Sequence, residues 1–407
     1  MSYFHSYLTA ASNLIKAYTP PQPLHLYLKK YFSAQKKHGS RDRKIISALC
    51  YAYYRMGTNF DGQPIEAKLL AGISLCQPEL LPADALPLVQ QYLPFVDEPF
   101  FAATVEEKIT VLQAQAGFEA EKLFPHTGQL SPLQNKEEFL LARLQQPLVW
   151  LRAKKGKREK LVELLTEAKV NSFSHPLLPN AVGLPQQTNI EQVLGNRYYH
   201  WGEVQDAASQ QTGTFIEMRP SEKVWDCCCG AGGKSLMLRD IEAKIELYSS
   251  DVRPQILQNL HERFKVSGLA RPFTAVKDIS NVSGEGILFE NKSEYKTAKG
   301  PYFDTIVADV PCTGSGTWAR TPEQGYYFTI AQIEAFAAKQ RTIVANAAPY
   351  LKKGGRLFYI TCSVFAAENE NQLPYFEGLG LKTVSQQLIE GWQHQADGMF
   401  IACLQKQ

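Results

Sequence analysis

No apolar run in this chain reaches the roughly 18 residues that a membrane-spanning helix needs, so no transmembrane segment is expected. The start, MSYFHSYLTAASNLIKAY, lacks a basic stretch followed by an apolar one, so no secretory leader is expected and the chain reads as cytoplasmic. Cysteine is too sparse for a disulfide scaffold. There are eight in 407 residues, and three are consecutive at Cys227, Cys228 and Cys229, where they cannot all pair locally. Reduced thiols are expected. Low-complexity and collagen-like bias are also missing, and 44% hydrophobic with 20% charged residues excludes a disordered chain. A length of 407 residues then implies two or three domains, each with its own core.

Charge of one sign is not in excess overall, at a net +3, but it is unevenly spread. Residues 1–60 carry nine Lys/Arg against one acid, and 61–140 carry four against twelve. Residues 141–200 are basic again, with nine against four. Two clusters stand out: Lys29, Lys30, Lys36, Lys37, Arg41, Arg43 and Lys44, then Arg152, Lys154, Lys155, Lys157, Arg158 and Lys160. Such clusters release condensed counterions when they meet phosphates, so a polyanion partner is the functional reading and a solvated helix face is the bland one.

Residues 1–140 show apolar residues at three- and four-residue steps, predicting helices over Leu8–Ala17, Pro23–Phe32 and Arg43–Met56, the third capped by Ser40. From about Leu148 a short apolar run, a charged helical stretch and a Pro-rich segment resemble a small βα module. Beyond residue 220 the pattern becomes strand, glycine turn, helix. Strands are predicted at Lys223–Asp226, Ile245–Asp251, Phe273–Val276, Asp304–Ala308 and Arg356–Thr361, with helices at Gly233–Asp240, Pro254–Ser267 and Thr329–Leu351. Strands joined by helical crossovers run parallel, which makes this a doubly wound α/β sheet. Gly398–Gln405 alternates and is expected to add an edge strand. Ligands in this architecture bind outside the carboxyl ends of the strands, at 226–234, 251–254, 278–280, 309–323 and 361–370.

The first of these turns, Asp226-Cys-Cys-Cys-Gly-Ala-Gly-Gly-Lys234-Ser235, allows backbone amides at a helix N-terminus to approach a ligand. A phosphate-binding P-loop would need glycine where Cys228 stands, and a dinucleotide fingerprint would need glycine where Ser235 stands. S-adenosylmethionine is the third candidate, because Asp251 ends the second strand where ribose hydroxyls fall and Asp278 ends the third. The turn alone does not choose among them.

The later loops add two cysteines, in Asp309-Val-Pro311-Cys312-Thr-Gly-Ser-Gly316 and in Thr361-Cys362-Ser363. Both follow strand ends, so two thiols fifty residues apart would face one pocket. No histidine accompanies them at zinc-ligand spacing, so no metal is expected. C5 of cytosine is a weak nucleophile. A thiolate adding at C6 makes C5 able to accept a methyl group, after which a base removes the C5 proton and the thiolate leaves. One cysteine would make that bond and a second help undo it, with Asp309 near the N3/N4 edge of the base.

With these motifs the chain resembles the RsmB/RsmF-type (Sun-family) RNA 5-methylcytosine methyltransferases. The likeness includes Gly202-Glu-Val-Gln205-Asp206-Ala-Ala-Ser209-Gln210, Asp226 to Lys234, Asp251, the two cysteine loops, Arg320-Thr-Pro322-Glu323, Glu368-Asn-Glu370 and Asp397-Gly-Met-Phe-Ile-Ala402. The turn departs from the family's Cys-Ala-Ala-Pro-Gly-Gly-Lys by placing Cys229, Gly230 and Ala231 where Ala-Ala-Pro stands, and Thr321 replaces a frequent Asn. The resemblance implies Cys362 as nucleophile, Cys312 as the cysteine that assists release, and Asp309 as a third catalytic group. It places S-adenosylmethionine against Cys228, Gly230, Gly232, Gly233, Lys234, Asp251, Asp278 and Asp309. His38-Gly-Ser40-Arg-Asp42-Arg43, leading to Tyr54-Arg55, is similar to a NusB-like helical domain. The implied organisation is a NusB-like RNA-binding domain over 1–145, a small α/β RNA-binding domain over 146–210 and a Rossmann-like methyltransferase domain over 211–407. No extra RNA-binding domain is expected after residue 407, which favours the RsmB type over the RsmF type, acting as a monomer on RNA, ribosomal RNA above all. A non-catalytic RNA-assembly factor and an NAD-linked oxidoreductase are the competing classes.

Overall fold

A computed structural model of the protein describes residues 3–195, 198–281 and 286–407; positions 196–197 of the expected middle module lie outside the described residues. The chain divides into two compact units: Met1–Gly128 with Asn135–Gln146 and Trp318–Thr329, and Gln129–Gln134 with Pro147–Thr317 and Ile330–Gln407.

The first unit is helical. Its first three helices, Tyr3–Ala17, Leu24–Ala34 and Ser40–Arg55, each bury one apolar face; Leu24, Leu28 and Phe32 show the four-residue step most simply. Ser40 does not cap the third helix. Gly39 precedes it, and its N–H donates to the Asp42 carboxylate at 2.8 Å, so Ser40 is the first helical residue. The expected loop over 309–323 does not stay in one unit, because Trp318–Thr329 belong to this helical unit. Buried Arg55 donates to the Ala319 carbonyl at 2.9 Å and buried Arg143 to the Trp318 carbonyl at 3.3 Å. The Leu24 N–H donates to Glu323 at 3.2 Å. Lys68, 1% exposed, lies 4.6 Å from the Tyr326 ring centroid and 4.4 Å from that of Tyr53. Buried cations need acceptors and ring faces, and this segment supplies them.

The second unit opens with a small antiparallel sheet of β1 (Val149–Ala153), β2 (Phe173–Ser174), β3 (Ala181–Leu184) and β4 (Gly202–Val204), in the order β2-β3-β1-β4. The helix Arg158–Glu167 packs Leu161 and Leu165 onto Leu151, Val182 and Leu184. Part of the second basic cluster turns inward here. Arg152 is 8% exposed, donates to Gln205 at 2.7 Å and pairs with Asp240, while Lys154 donates to the Ser267 carbonyl at 3.1 Å. Arg152 is thus turned into the unit, whereas Lys155 and Lys160 are exposed.

The large sheet has nine strands: β5 (Lys223–Asp226), β6 (Glu246–Asp251), β7 (Phe273–Val276), β8 (Ile287–Asn291), β9 (Glu294–Ala298), β10 (Phe303–Asp309), β11 (Leu351–Thr361), β12 (Leu381–Glu390) and β13 (Gly398–Lys406). Their order is β12-β13-β11-β10-β5-β6-β7-β8-β9, with parallel pairing from β11 through β7. The doubly wound core agrees with expectation. The β8–β9 hairpin was not anticipated, and β13 is not the edge: β12 lies outside it. Gly398–Phe400 through Ala402 are buried without interruption, as an internal strand requires, whereas the middle of β12 is exposed. The order of winding reverses between the parallel neighbours β5 and β10, and a crevice is expected at their carboxyl ends.

Candidate active site

The turn after β5 stays tied to both neighbouring strands, because the Cys227 N–H donates to the Val307 carbonyl and the Cys229 N–H to that of Ser250, each at 3.0 Å. Asp226 beneath it is fully buried and accepts from the Ser235 hydroxyl at 2.6 Å; burial raises its pKa to about 7. Gly232 has φ +85°, and a Cβ there would stand 2.9 Å from the Leu260 side chain, so the turn needs glycine twice over. It immediately precedes the helix Gly233–Ile241, whose first amides have no partner within the helix.

Asp251 ends β6 with its side chain 7% exposed. Its carboxylate accepts from the Gly230 N–H at 3.0 Å, the Arg253 N–H at 3.0 Å and Arg253 Nε at 2.9 Å. Burial works against ionisation, but the Arg253 bonds outweigh it and hold the carboxyl below its ordinary value. Asp278 is exposed and accepts from the Ser280 N–H and hydroxyl at 2.9 and 2.6 Å, which lowers it as well. Lys234 is buried, 3.2 Å from Asp309 and donating to Ser209 at 2.7 Å. It therefore fixes the side chain of Asp309 from behind.

The two cysteine loops meet. Parallel pairing sets Asp309 beside Ile360, and the Gly316 N–H donates to the Cys362 carbonyl at 2.9 Å. Cys312 Sγ and Cys362 Sγ stand 3.2 Å apart as free thiols. The hydrogen bond with Cys362, then burial, pushes the Cys312 thiol well above its ordinary value.

A cavity of about 460 Å³ is lined by Cys228, Asp251, Asp278, Asp309, Cys312 and Cys362. Six expected residues thus share one space. Gly230 and Lys234 reach it only through their bonds to Asp251 and Asp309, and Gly232 and Gly233 are not among the residues that line it. Arg253, Lys277 and Lys339 also line it and were missed. Arg253 and Lys277 adjoin strand ends already singled out, whereas Lys339 comes from the helix Ala331–Ala347, where the amphipathic pattern carried no signal.

Residues 213–405 match the family model described as 16S rRNA methyltransferase RsmB/F. The ribosomal RNA small subunit methyltransferase B of Enterobacter sp. (strain 638) is 29% identical over 242 residues, covering 59% of this chain and 53% of that one. Its counterpart in Proteus mirabilis (strain HI4320) is 28% identical over 279 residues, covering 66% and 62%. The chain spans little more than half the length of the curated relatives it matches. Among solved structures, PH0851 aligns over 97% of both chains with a TM-score of 0.68 and 19% identity. NSun6 from Pyrococcus horikoshii, solved with SFG, aligns over 69% of this chain and 97% of that one, with a TM-score of 0.56 and 18% identity. At such identities these structures show a shared fold.

Proposed function

We propose, from the match of residues 213–405 to the RsmB/F methyltransferase family model, that this protein methylates C5 of a cytidine in RNA, with ribosomal RNA as the substrate class and S-adenosylmethionine as donor. The observation that carries this reading is the thiol pair 3.2 Å apart in a cavity that also holds Asp309 and Asp251. The residues present fit the donor. The ionised Asp251 would accept the ribose hydroxyls, and Arg253, 61% exposed, is free to move aside. The first amides of Gly233–Ile241, with Gly232 before them, would hold its carboxylate end, while Val252 and Ile279 line the cavity with apolar surface. When bound, S-adenosylmethionine supplies an electrophilic methyl group. Cys362 adds to C6 of the base and raises electron density at C5. Asp309, fixed by Lys234, accepts hydrogen bonds from the N3/N4 edge of the adduct. A base takes up the C5 proton as the C5–C6 double bond re-forms and the C6–Sγ bond breaks, so that Cys362 leaves as a thiolate, and Cys312 assists this elimination.

In this reading residues 1–145 form a NusB-like RNA-binding domain, 146–210 a small RNA-binding domain and 211–407 the methyltransferase domain of a cytoplasmic monomer. Methyl transfer to ribosomal RNA from a deletion strain, followed by bisulfite sequencing, tests it: one newly protected cytidine is expected, and none would refute it. Calorimetry tests the donor. Asp251→Ala should weaken S-adenosylmethionine binding by about 1–3 kcal/mol through loss of charge-assisted contacts, and unchanged affinity removes Asp251 from the site. NAD should give no heat.

The RNA contact is expected on the exposed part of the first basic cluster, including Lys36, Lys37 and Arg41. Changing these three to Glu should flatten the slope of log K against log salt by about two units, at about 0.7 per single-strand phosphate contact. An unaltered slope would leave this cluster a solvated face.

A further inference from the structure

Behind the thiol pair lies a carboxylate that the proposed reaction does not use. Glu368 is 0% exposed and closes the short helical turn Ala366–Glu368 after β11. Its Oε1 accepts from the Thr313 N–H and from Gln340 Nε2, both at 2.9 Å. Its Oε2 accepts from the Thr313 hydroxyl at 2.6 Å and the Ser363 hydroxyl at 2.5 Å. Four donors occupy the four acceptor sites of one buried carboxylate. Thr313 follows Cys312 and Ser363 follows Cys362 in the chain. Gln340 also donates to the Pro311 carbonyl at 3.1 Å, so the network holds Cys312 from both sides.

A carboxylate this deep is costly unless every oxygen is satisfied, and here the satisfying groups all come from the neighbours of two thiols or from the helix that supports them. We propose that Glu368 is a positioning residue that clamps the two cysteine loops together and so sets the separation of Cys312 and Cys362. It touches neither substrate nor donor. Its action is through Thr313 and Ser363, on which the hand-over between the two thiols depends. The inference rests on the roles given above to Cys362 and Cys312.

The thiol separation can be read without RNA, using dibromobimane, which becomes fluorescent when two nearby thiols displace its two bromides. The full-length protein should give a bridged signal that disappears in Cys312→Ala and in Cys362→Ala, which assigns it to this pair and not to Cys227 and Cys228. Glu368→Ala should slow bridging by about tenfold or more, the scale on which small misplacements act on reacting groups. Glu368→Gln, which keeps acceptor and donor capacity for the rotatable Thr313 and Ser363 hydroxyls, should restore bridging to within about threefold of the parent. Should Glu368→Ala fail to fold, Ser363→Ala removes the clamp's bond to the Cys362 loop and should slow bridging in the same direction. With target RNA and S-adenosylmethionine, Glu368→Ala should accumulate the covalent adduct while donor affinity is unchanged. Bridging at the parental rate in Glu368→Ala or, if that variant does not fold, in Ser363→Ala overturns the clamp, as does Glu368→Gln as slow as Glu368→Ala. Normal clamp behaviour in bridging with no methylation of any RNA would instead sink the proposed function and leave the geometry standing.

Discussion

Cys362→Ala is expected to lose methyl transfer by at least about a thousandfold and to form no covalent RNA complex, as removal of a nucleophile does. Cys312→Ala should differ at a defined step. Its remaining thiol still adds to C6 and C5 still accepts the methyl group, but the adduct cannot be resolved, so RNA stays attached to the protein. A denaturing gel after incubation with target RNA and S-adenosylmethionine distinguishes the two. The geometry is suited to such a division, because the sulfurs lie 3.2 Å apart and the hydrogen bond with Cys362, then burial, raise the Cys312 thiol above its ordinary value, which sets the two thiols apart. A retarded band from Cys362→Ala with none from Cys312→Ala would exchange the roles. Intact methylation with no band from either would end the covalent mechanism.

Gly316→Ala is expected to damage stability and chemistry together. A Cβ at Gly316 would lie 2.1 Å from the Gly398 carbonyl oxygen and 3.0 Å from that of Cys362, both backbone atoms. Neither can move alone. Gly398 begins β13, and the Cys362 carbonyl accepts the Gly316 N–H, so relief requires displacing a central strand or separating the cysteine loops. Overpacking of this kind should cost about 3 kcal/mol and lower Tm by about 6–12 °C in a unit of this size. Bimane bridging should fall even well below the transition, because the strain is delivered to the Cys362 loop. Gly378→Ala is the control: nothing lies within 4 Å of its added Cβ, and its Tm should stay within about 1 °C of the parent. A Gly316→Ala protein that melts with that control and bridges normally would show that the loops relax freely.

The parallel core was legible in advance because its signals are local. Lys223–Asp226 and Phe273–Val276 are short buried runs bounded by turns, and they occur where the pattern placed them. The glycine turn and Asp251 follow from what one strand end and one helix start require. The hairpin of β8 and β9 and the edge strand β12 gave no comparable sign. In β12, LKTVSQQLIE is exposed through its middle and is held by register against β13, a partner that strand periodicity does not identify.

Residue chemistry alone therefore determined that two cysteines, a glycine turn and three acids would sit at strand ends, since each belongs to a stretch of about ten residues with its own period. Tertiary structure alone decided how near they are. The 3.2 Å between Cys312 and Cys362 depends on the β10–β11 register and on a carboxylate bonded to Thr313 across fifty-five residues. The inward turn of Arg152 depends on Gln205 and Asp240, and the departure of Trp318–Thr329 on Arg55 and Arg143. Local propensity acts within a few turns of chain, whereas a buried charge takes whichever partners the completed fold brings within about 3 Å.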